Sequence, residues 1–317
     1  MFNVFRLLFI SALLWSANSY SHNQEITKQT IEVGNIKLHY EFADGQSEAN
    51  QAAFTETIVA GFEYYQQLFG GYPRDLHGET YNDITVRIRY GDFLSGEADP
   101  KLIMLTWSDA VMFGVHNWRT MLLHELFHLW SAESFRYSDG REHWFNEGFS
   151  EFYAFKAATK LGMIDGRDAL TIASQPIGFY YSANGLGKIS LREAGKNNKS
   201  KFNNYFFVYH GGWVAAMLLD HDIRSKTDNN CSLDQSMRFL YQNYPRNEKL
   251  YDSDTIVAAI KDCYSLDYSV FFERYIDGTE IMPVSEYFDV GKALWNYEFG
   301  SENIQQHRYL YQSLGLN

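Results

Sequence analysis

Residues 118–130 read WRTMLLHELFHLW, a stretch without proline or glycine that predicts one continuous helix. Its two histidines, His124 and His128, stand four residues apart and therefore share one helix face, one turn apart. Both imidazoles can then reach a single zinc ion at about 2.0–2.1 Å. Glu125 follows the first histidine and can approach water on such an ion without binding the ion itself.

This pattern also arises by chance in roughly a few of every hundred chains with this many histidines. The alternative is a helix that carries two surface or cation-paired histidines. The surrounding positions are apolar, which indicates a buried helix whose histidines need polar partners. A metal ion would supply those partners. The apolar positions are Leu122, Leu123, Leu126, Phe127, Leu129 and Trp130.

A third ligand is expected in residues 143–151, HWFNEGFSE. Eighteen residues separate His128 from Glu147, which leaves room for a loop at 137–140 and a helix that returns against the first. Two histidines and one glutamate with an open fourth position are typical of a catalytic zinc site. We therefore predict one zinc ion per chain, held by His124, His128 and Glu147.

Three neighbouring side chains are further candidates. Glu151 stands one helical turn after Glu147 and offers a carboxylate to the far nitrogen of a ligand histidine. An exposed helix carboxylate is an equally good interpretation of Glu151. His116 and His143 lie nearby in sequence, but no matching motif surrounds them, so they are weaker ligand candidates.

These motifs resemble those of the gluzincin metallopeptidases, in which HELFHLW is followed after eighteen residues by the glutamate of WFNEGFSEF. The glycyl aminopeptidase family is the most similar branch. Residues 205–224, YFFVYHGGWVAAMLLDHDIR, followed by Ser232-Leu233-Asp234, resemble its Tyr-x-Lys-Gly helix. The lysine of that motif is missing, because the sequence reads Tyr209-His210-Gly211-Gly212. The similarity extends from about residue 54 to about residue 290.

The resemblance implies a thermolysin-like catalytic domain. The sequence departs from the family in that we expect neither its N-terminal β-domain nor its C-terminal PDZ domain. It implies zinc-dependent hydrolysis of peptide bonds, with Glu125 as the general base. Tyr209 would donate its hydroxyl to the oxyanion. Tyr205, one turn earlier, is the alternative donor, and a core tyrosine is the alternative interpretation of Tyr209.

Hydrophobic periodicity predicts the remaining elements. A hairpin or edge strand pair is expected over 31–42, a helix over 47–69, and strands over 84–90 and 101–107. Further helices are expected at about 117–133, 145–161, 206–225, 232–243, 253–262 and 267–276. Residues 174–204 are rich in Gly, Asn, Ser and Lys and are expected to form a loop.

This order of elements predicts an α+β fold with a cleft between two subdomains. The first is a small N-terminal α/β subdomain, residues 22–110. The second is a mainly helical, zinc-binding catalytic subdomain, residues 111–300, followed by a tail at 301–317.

The N-terminus predicts export. Met1–Arg6 carries one positive charge, the apolar run Leu7–Trp15 is too short to span a bilayer, and small residues allow cleavage after Ser19 or Ser21. A signal peptide over 1–21 and a periplasmic or secreted protein are therefore expected, with an uncleaved anchor as the alternative.

The two cysteines, Cys231 and Cys263, are expected to form a disulfide in an oxidising compartment; two buried thiols are the alternative.

The net charge of −12 gives no electrostatic support to nucleic-acid binding. A peptide or protein substrate is the expected partner, and the oligomeric state stays open. A catalytically inactive zinc-bound peptide-binding or envelope-scaffold protein is the alternative function. An esterase with the same metal-activated water is another. The presence of Glu125 argues against the inactive protein, because we expect inactive relatives to lose the base first.

The resemblance implies that residues 96–100, Gly-Glu-Ala-Asp-Pro, bear on substrate specificity. Related aminopeptidases carry a Gly-x-Glu-Asn-like motif there, whose glutamate binds the free α-amino group of the substrate. Aligned on this motif, the anchoring position is Ala98, flanked by Glu97 and Asp99, which would turn to the opposite face of an extended chain. The alternative interpretation is that both acids cap a turn before Pro100. We expect weakened dependence on a free N-terminus, and substrate pairing along strand 101–107.

Overall fold

The computed structural model describes residues 26–43, 46–108, 117–164, 166–261 and 266–287. The expected signal peptide, the C-terminal tail, His116 and Cys263 lie outside these residues. Cys231 is disulfide-bonded, and its pairing with Cys263 stays a prediction. Within the described ranges, none of the helices combines the length and apolar character that crossing a bilayer requires.

The N-terminal part forms a mixed sheet in which the described strands follow the order β1-β2-β3-β5-β4. The predicted hairpin is confirmed as the antiparallel pair β1–β2. β2 and β3 are parallel, β3 and β5 are parallel, and β4 runs antiparallel to β5. The strands are β1 Thr27–Val33, β2 Ile36–Phe42, β3 Asp83–Tyr90, β4 Ser95–Asp99 and β5 Leu102–Trp107.

Buried apolar side chains alternate with more exposed ones along the strands, so the sheet has one apolar face. Tyr40 pairs with Val86, which in turn pairs with Ile103, and all three side chains are buried. Ala98 pairs with Ile103, and Gly96 pairs with Leu105, so β4 continues the apolar face at one edge of the sheet. Because side chains alternate along a strand, the acids on either side of Ala98 lie on the opposite face.

Helix α1, Glu48–Phe69, connects the parallel strands β2 and β3. Ser47 caps its N-terminus by accepting a hydrogen bond from the backbone N–H of Asn50, and Gly70 ends it in the left-handed conformation. Its buried side chains meet the predicted zinc helix: the Tyr65 hydroxyl donates to the carbonyl of Leu123 at 3.2 Å. α1 therefore joins the sheet to the helical part.

The C-terminal part is helical, and the predicted helices are confirmed within a few residues. α2, Trp118–His128, begins with a capping box between Asn117 and Thr120 and continues as a π-helical turn, Leu129–Ser134. The other helices are α3 His143–Lys160, α4 Gly166–Ser182, α5 Leu191–Gly195, α6 Asn198–Asn203, α7 Tyr205–Lys226, α8 Leu233–Asn243, α9 Ser253–Lys261, α10 Ser269–Phe271 and α11 Val284–Tyr287. A π-helical turn, Phe272–Ile276, extends α10.

The expectation of a loop over 174–204 is wrong. Helix α4 extends to Ser182, and the short helices α5 and α6 follow it. Pro176 and Gly178 lie inside α4, and these helix-breaking residues hide its pattern in the sequence. Ser190 caps α5 and Asn197 caps α6. Polar residues that indicated a loop in the sequence therefore begin helices in the structure.

The expectation that strand 101–107 pairs with substrate is also wrong. β5 is hydrogen-bonded to β3 on one side and to β4 on the other, so it has no free edge. β4 is the edge strand instead. A tight turn at Pro100 and Lys101 joins the two strands, with Lys101 in the left-handed conformation at φ 61°. The turn therefore lies at Pro100–Lys101, and residues 95–99 form a strand.

Two glycines set the distance between α3 and α7. A methyl group on Gly212 would lie 2.0 Å from the carbonyl oxygen of Trp144 and 2.9 Å from Cα of Gly148. Only hydrogen fits there, so the two helix backbones are in direct contact. Glu147 adjoins this contact on α3, and Tyr209 lies three residues before it on α7. The glycine contact therefore brings the predicted third ligand and the predicted oxyanion donor together.

We expect Gly212→Ala to destabilise the protein, because the added methyl group must push two helix backbones apart. Overpacking of this kind costs roughly 1–3 kcal/mol or more. The matched control is Gly178→Ala in α4, where an added methyl group meets nothing within 4 Å. That change should leave stability unchanged or raise it by about 1 kcal/mol through helix propensity. Urea unfolding of both variants tests this, and equal stabilities would contradict the proposed contact.

Candidate metal centre

Three side chains from two helices converge on one point. Nε2 of His124 lies 2.9 Å from Nε2 of His128, and both atoms come from successive turns of α2. Oε2 of Glu147, from α3, lies 3.4 Å from the first nitrogen and 3.5 Å from the second. All three residues are less than a tenth exposed. The structure thus brings together the three residues that the motif predicts as ligands.

The spacing of these atoms fits a small tetrahedral cation. Ligand atoms at about 2.0–2.1 Å from one tetrahedral ion lie about 3.3 Å from one another. The three observed separations, 2.9, 3.4 and 3.5 Å, bracket that value. Two imidazoles and one carboxylate are also the ligand types that zinc prefers. The residues present therefore fit a zinc ion with at least one position left for other ligands.

The electrostatics of Glu147 favour its charged form. Burial by itself would raise the pKa of this carboxyl, but hydrogen bonds from His124 and His128 and nearby positive charge hold the pKa well below its ordinary value. A carboxylate that stays ionised is a competent metal ligand.

Glu125 lies beside the ligands and is itself buried. Burial raises its pKa to about 7; His124 opposes this shift, and the negative charges of Glu147 and Glu97 add to it. The edge strand passes directly over this side chain. A methyl group on Gly96 would lie 2.5 Å from Oε1 and 2.6 Å from Cγ of Glu125. Gly96 thus allows β4 to approach the carboxylate, and it ties the sheet edge to the centre.

Tyr209 covers the first ligand histidine. Its ring stacks on that of His124 with centroids 6.4 Å apart, and it also stacks on the ring of Tyr205 at 4.1 Å. Burial, followed by the charges of nearby carboxylates, raises the pKa of both tyrosines well above the ordinary value. Both hydroxyls therefore stay protonated and able to donate. Of the two, Tyr209 is the one whose ring contacts a ligand.

The outer nitrogen of His128 faces two serines that the sequence analysis did not single out. Its Nδ1 lies 3.2 Å from Oγ of Ser131, in the π-helical turn, and 3.4 Å from Oγ of Ser150, on α3. Such contacts orient a ligand imidazole. No pattern in the sequence predicts the π-helical turn, and serine is too common in helices to indicate a contact with a particular histidine.

Glu151 lies on the side of α3 that faces α7. Its Oε2 is 3.2 Å from Nδ1 of His210, and both side chains are almost fully buried. Among the described residues, no hydrogen bond reaches the buried Nδ1 of His124. The role of Glu151 as the partner of a ligand histidine stays a prediction.

His143 makes contacts away from the centre. Its Nδ1 lies 2.6 Å from the carbonyl oxygen of Gly195, and its Nε2 lies 3.2 Å from the hydroxyl of Tyr137. Both ring nitrogens are thus used in joining the start of α3 to α5 and to the preceding loop. This agrees with its low rank among the ligand candidates.

Lys201 is the main residue that sequence reasoning missed. Its Nζ lies 2.8 Å from Oε1 of Glu147, and both side chains are about a tenth exposed. In the sequence it belongs to residues 196–201, KNNKSK, a polar run that is typical of solvent-exposed chain. No spacing rule connects it to the zinc motif, because only the packing of α6 against the site brings them together.

The two acids of the edge strand point away from the apolar face. Glu97 and Asp99 are exposed, and β4 pairs with β5 residue for residue from Ser95 to Asp99, without a bulge. Ala98, between them, shares the face of Gly96, which contacts Glu125. The geometry thus places an uncharged side chain on the face of β4 that meets the centre.

Comparisons with known proteins place this arrangement among solved folds. No protein-family profile matches the sequence, and a comparison with curated proteins finds no match. The structure is similar to an aminopeptidase N family protein from Idiomarina loihiensis, with a TM-score of 0.71, 18% identity, and coverage of 86% of this chain and 49% of that chain. It is also similar to an M1 zinc metallopeptidase from Deinococcus radiodurans, with a TM-score of 0.55, 16% identity, and coverage of 82% and 53%.

The present chain spans about half the length of each of these two solved structures. At this level of identity the similarity concerns the fold. The chain therefore has an α+β fold shared with zinc metallopeptidase structures, and the buried His124–His128–Glu147 cluster lies within it.

Proposed function

We propose that this protein is a zinc-dependent peptidase whose metal is held by His124, His128 and Glu147. The observation that carries the proposal is the convergence of Nε2, Nε2 and Oε2 at separations that suit one tetrahedral ion. The shared fold supports it, since the similar solved structures include a zinc metallopeptidase and an aminopeptidase N family protein. The cluster is catalytic in type because three protein ligands leave a position for water or substrate.

Each nearby side chain has a role in this proposal. When bound, zinc would supply Lewis acidity toward the scissile carbonyl and would lower the pKa of water. Glu125 takes the proton from the attacking water and later gives it to the leaving amine. The Tyr209 hydroxyl donates a hydrogen bond to the developing oxyanion. Burial of Glu125 and partial burial of Tyr209 limit the access of bulk water and strengthen both interactions.

The edge strand β4 is the proposed docking strand for the peptide. Its outer edge is free of strand partners among the described residues, and its Gly96 lies against Glu125. An extended peptide can add to such an edge through main-chain hydrogen bonds. Ala98, on the face toward the centre, offers no charge for an α-amino group. We therefore propose cleavage that does not require a free N-terminus.

Two further proposals rest on sequence alone. The exported location follows from the signal-like residues 1–21, and the glycyl aminopeptidase branch follows from the motif around Tyr209.

The first prediction concerns the metal. Purified protein should retain about one zinc per chain after dialysis, because one buried cluster provides the ligands. The double variant His124→Ala, His128→Ala should retain none, whereas His77→Ala, at an exposed position, should keep the full complement. Elemental analysis measures this. A full complement in the double variant would refute the ligand assignment.

The second prediction separates metal binding from catalysis. Glu125→Gln should keep zinc and lose peptide cleavage, because only the base is removed. Glu63→Gln, on the exposed side of α1, is the matched control and should cleave normally.

Tyr209→Phe should lower kcat by about 10²–10³-fold with zinc retained, as expected for loss of one oxyanion donor. Tyr205→Phe should have a smaller effect, because it is the ring of Tyr209 that stacks on His124. Peptide turnover with parallel zinc analysis measures these effects. Normal turnover by Tyr209→Phe together with loss in Tyr205→Phe would assign the donor role to Tyr205.

The third prediction concerns the substrate end. One peptide with a free N-terminus and the same peptide acetylated should be cleaved at similar rates by the natural protein. Ala98→Glu places a carboxylate on the face of β4 that meets Glu125, and it should favour the free peptide. Ser95→Glu, on the opposite face of the same strand, should not. Loss of cleavage on acetylation in the natural protein would show that another residue anchors the amino group.

A further inference from the structure

The two oxygens of the Glu147 carboxylate have different partners. Oε2 faces the two histidine nitrogens at 3.4 and 3.5 Å. Oε1 instead accepts a hydrogen bond from Nζ of Lys201 at 2.8 Å. A carboxylate in general can bind a metal ion through one oxygen or through both. In this structure, the lysine occupies the oxygen that a second metal bond would need.

We propose that Lys201 is a positioning residue of the metal centre, which holds Oε1 of Glu147 so that only Oε2 binds the ion. The inference rests on the proposed function only in requiring a metal at this cluster. With one bond from each of the three ligands, a four-coordinate ion keeps one position for water or substrate. A carboxylate bound through both oxygens would add a fourth protein bond, so that the ion with its water becomes five-coordinate and the position for substrate is crowded. Lys201 thus keeps the centre open through its contact with Glu147.

The surroundings of Lys201 hold its side chain in place. Its backbone N–H donates to the carbonyl of Asn197 at 2.8 Å in the first turn of α6. Its Nζ lies 5.3 Å from the ring centroid of Phe202 and 5.8 Å from that of Tyr209. Contacts of this type attract a cation to the ring face. The amine is therefore fixed between a ligand carboxylate and the proposed oxyanion donor.

The neighbouring lysines lack this arrangement. Lys196 pairs with Glu193 on the surface, and its side chain is 47% exposed. Lys199 is also exposed. Among these three lysines of one polar run, Lys201 alone is turned toward the centre, with a side chain 11% exposed. Its burial in contact with a ligand is therefore a property of this position and not of the run.

A positive charge beside Glu147 has a second consequence. A lysine near a divalent cation repels it, so the lysine should not strengthen metal binding through charge. A residue that merely stabilised the fold around the ligands would weaken metal binding when removed. The proposal instead expects the coordination of the ion to change, with its affinity maintained or increased. This difference separates the positioning role from a purely structural one.

The test uses the full chain loaded with Co²⁺, whose visible absorption per bound ion is stronger in four-coordinate than in five-coordinate sites. Lys201→Met should bind cobalt at least as tightly as the natural protein and show clearly weaker absorption per ion. Lys201→Arg should restore the natural spectrum. Lys199→Met is the matched control and should leave the spectrum unchanged. Far-UV circular dichroism and unfolding curves confirm that each variant folds.

Turnover provides a second readout with the zinc-loaded protein. Lys201→Met should lower kcat by about 10–100-fold, with KM changed much less. If no variant or natural protein cleaves any peptide, the proposed function fails, while the cobalt spectra still decide the role of Lys201.

Several outcomes would overturn the inference. One is an unchanged cobalt spectrum in Lys201→Met. Another is loss of cobalt binding in both Lys201→Met and Lys201→Arg, which would indicate a structural role. The third is a KM increase confined to peptides with a free C-terminal carboxylate, with amidated peptides unaffected, which would make Lys201 a substrate-binding residue. Loss of cobalt binding in Lys201→Met alone would also contradict the inference, because the proposal expects the affinity of this variant for the ion to be maintained or increased.

Discussion

Two imidazoles and two carboxylates are buried together where α2 packs against α3, and the rest of the site is arranged around them. Each of His124, His128, Glu125 and Glu147 is less than a tenth exposed. Burying ionisable groups is costly unless they are paired or bound to a metal. The separations between the predicted ligand atoms are short enough for one cation to bind all of them at the centre of this group. The proposed chemistry depends on the same arrangement.

Close backbone approaches at glycines make this arrangement possible. Gly212 lets α7 contact α3 beside Glu147, and Gly96 lets the edge strand reach Glu125. A larger side chain at either position would meet atoms within 2.5 Å. The sheet edge, the predicted zinc helix and the helix that carries Tyr209 thus meet at one place through close backbone contacts. A closely packed, buried site of this type is suited to electrostatic stabilisation of a transition state.

The sequence predicted the two histidines of the candidate metal centre because helix geometry alone places them together. Residues i and i+4 share a helix face in any fold, so His124 and His128 needed no tertiary information. Strict alternation of apolar and polar residues likewise predicted β3 and the hairpin. β4 was missed because Gly-Glu-Ala-Asp-Pro has the composition of a turn, and α4 was missed because Pro176 and Gly178 interrupt its pattern.

The contact of Lys201 lay beyond sequence reasoning for a different reason. It pairs with Glu147 across 54 positions of the chain, and only the packing of α6 brings the two side chains together. The serines beside His128 are a similar case, since one lies in a π-helical turn that no periodicity predicts. Local patterns thus predicted the groups to which the proposal assigns the chemistry, whereas the groups proposed to orient them depend on tertiary structure.

A crystal structure of the zinc-loaded protein, with anomalous diffraction measured at the zinc edge, tests the central claim most directly. The account predicts one anomalous peak within about 2.0–2.2 Å of both histidine Nε2 atoms and Oε2 of Glu147, with a water molecule in the fourth position. A peak elsewhere, or a fourth protein side chain closing the coordination sphere, would contradict a catalytic zinc centre at this site.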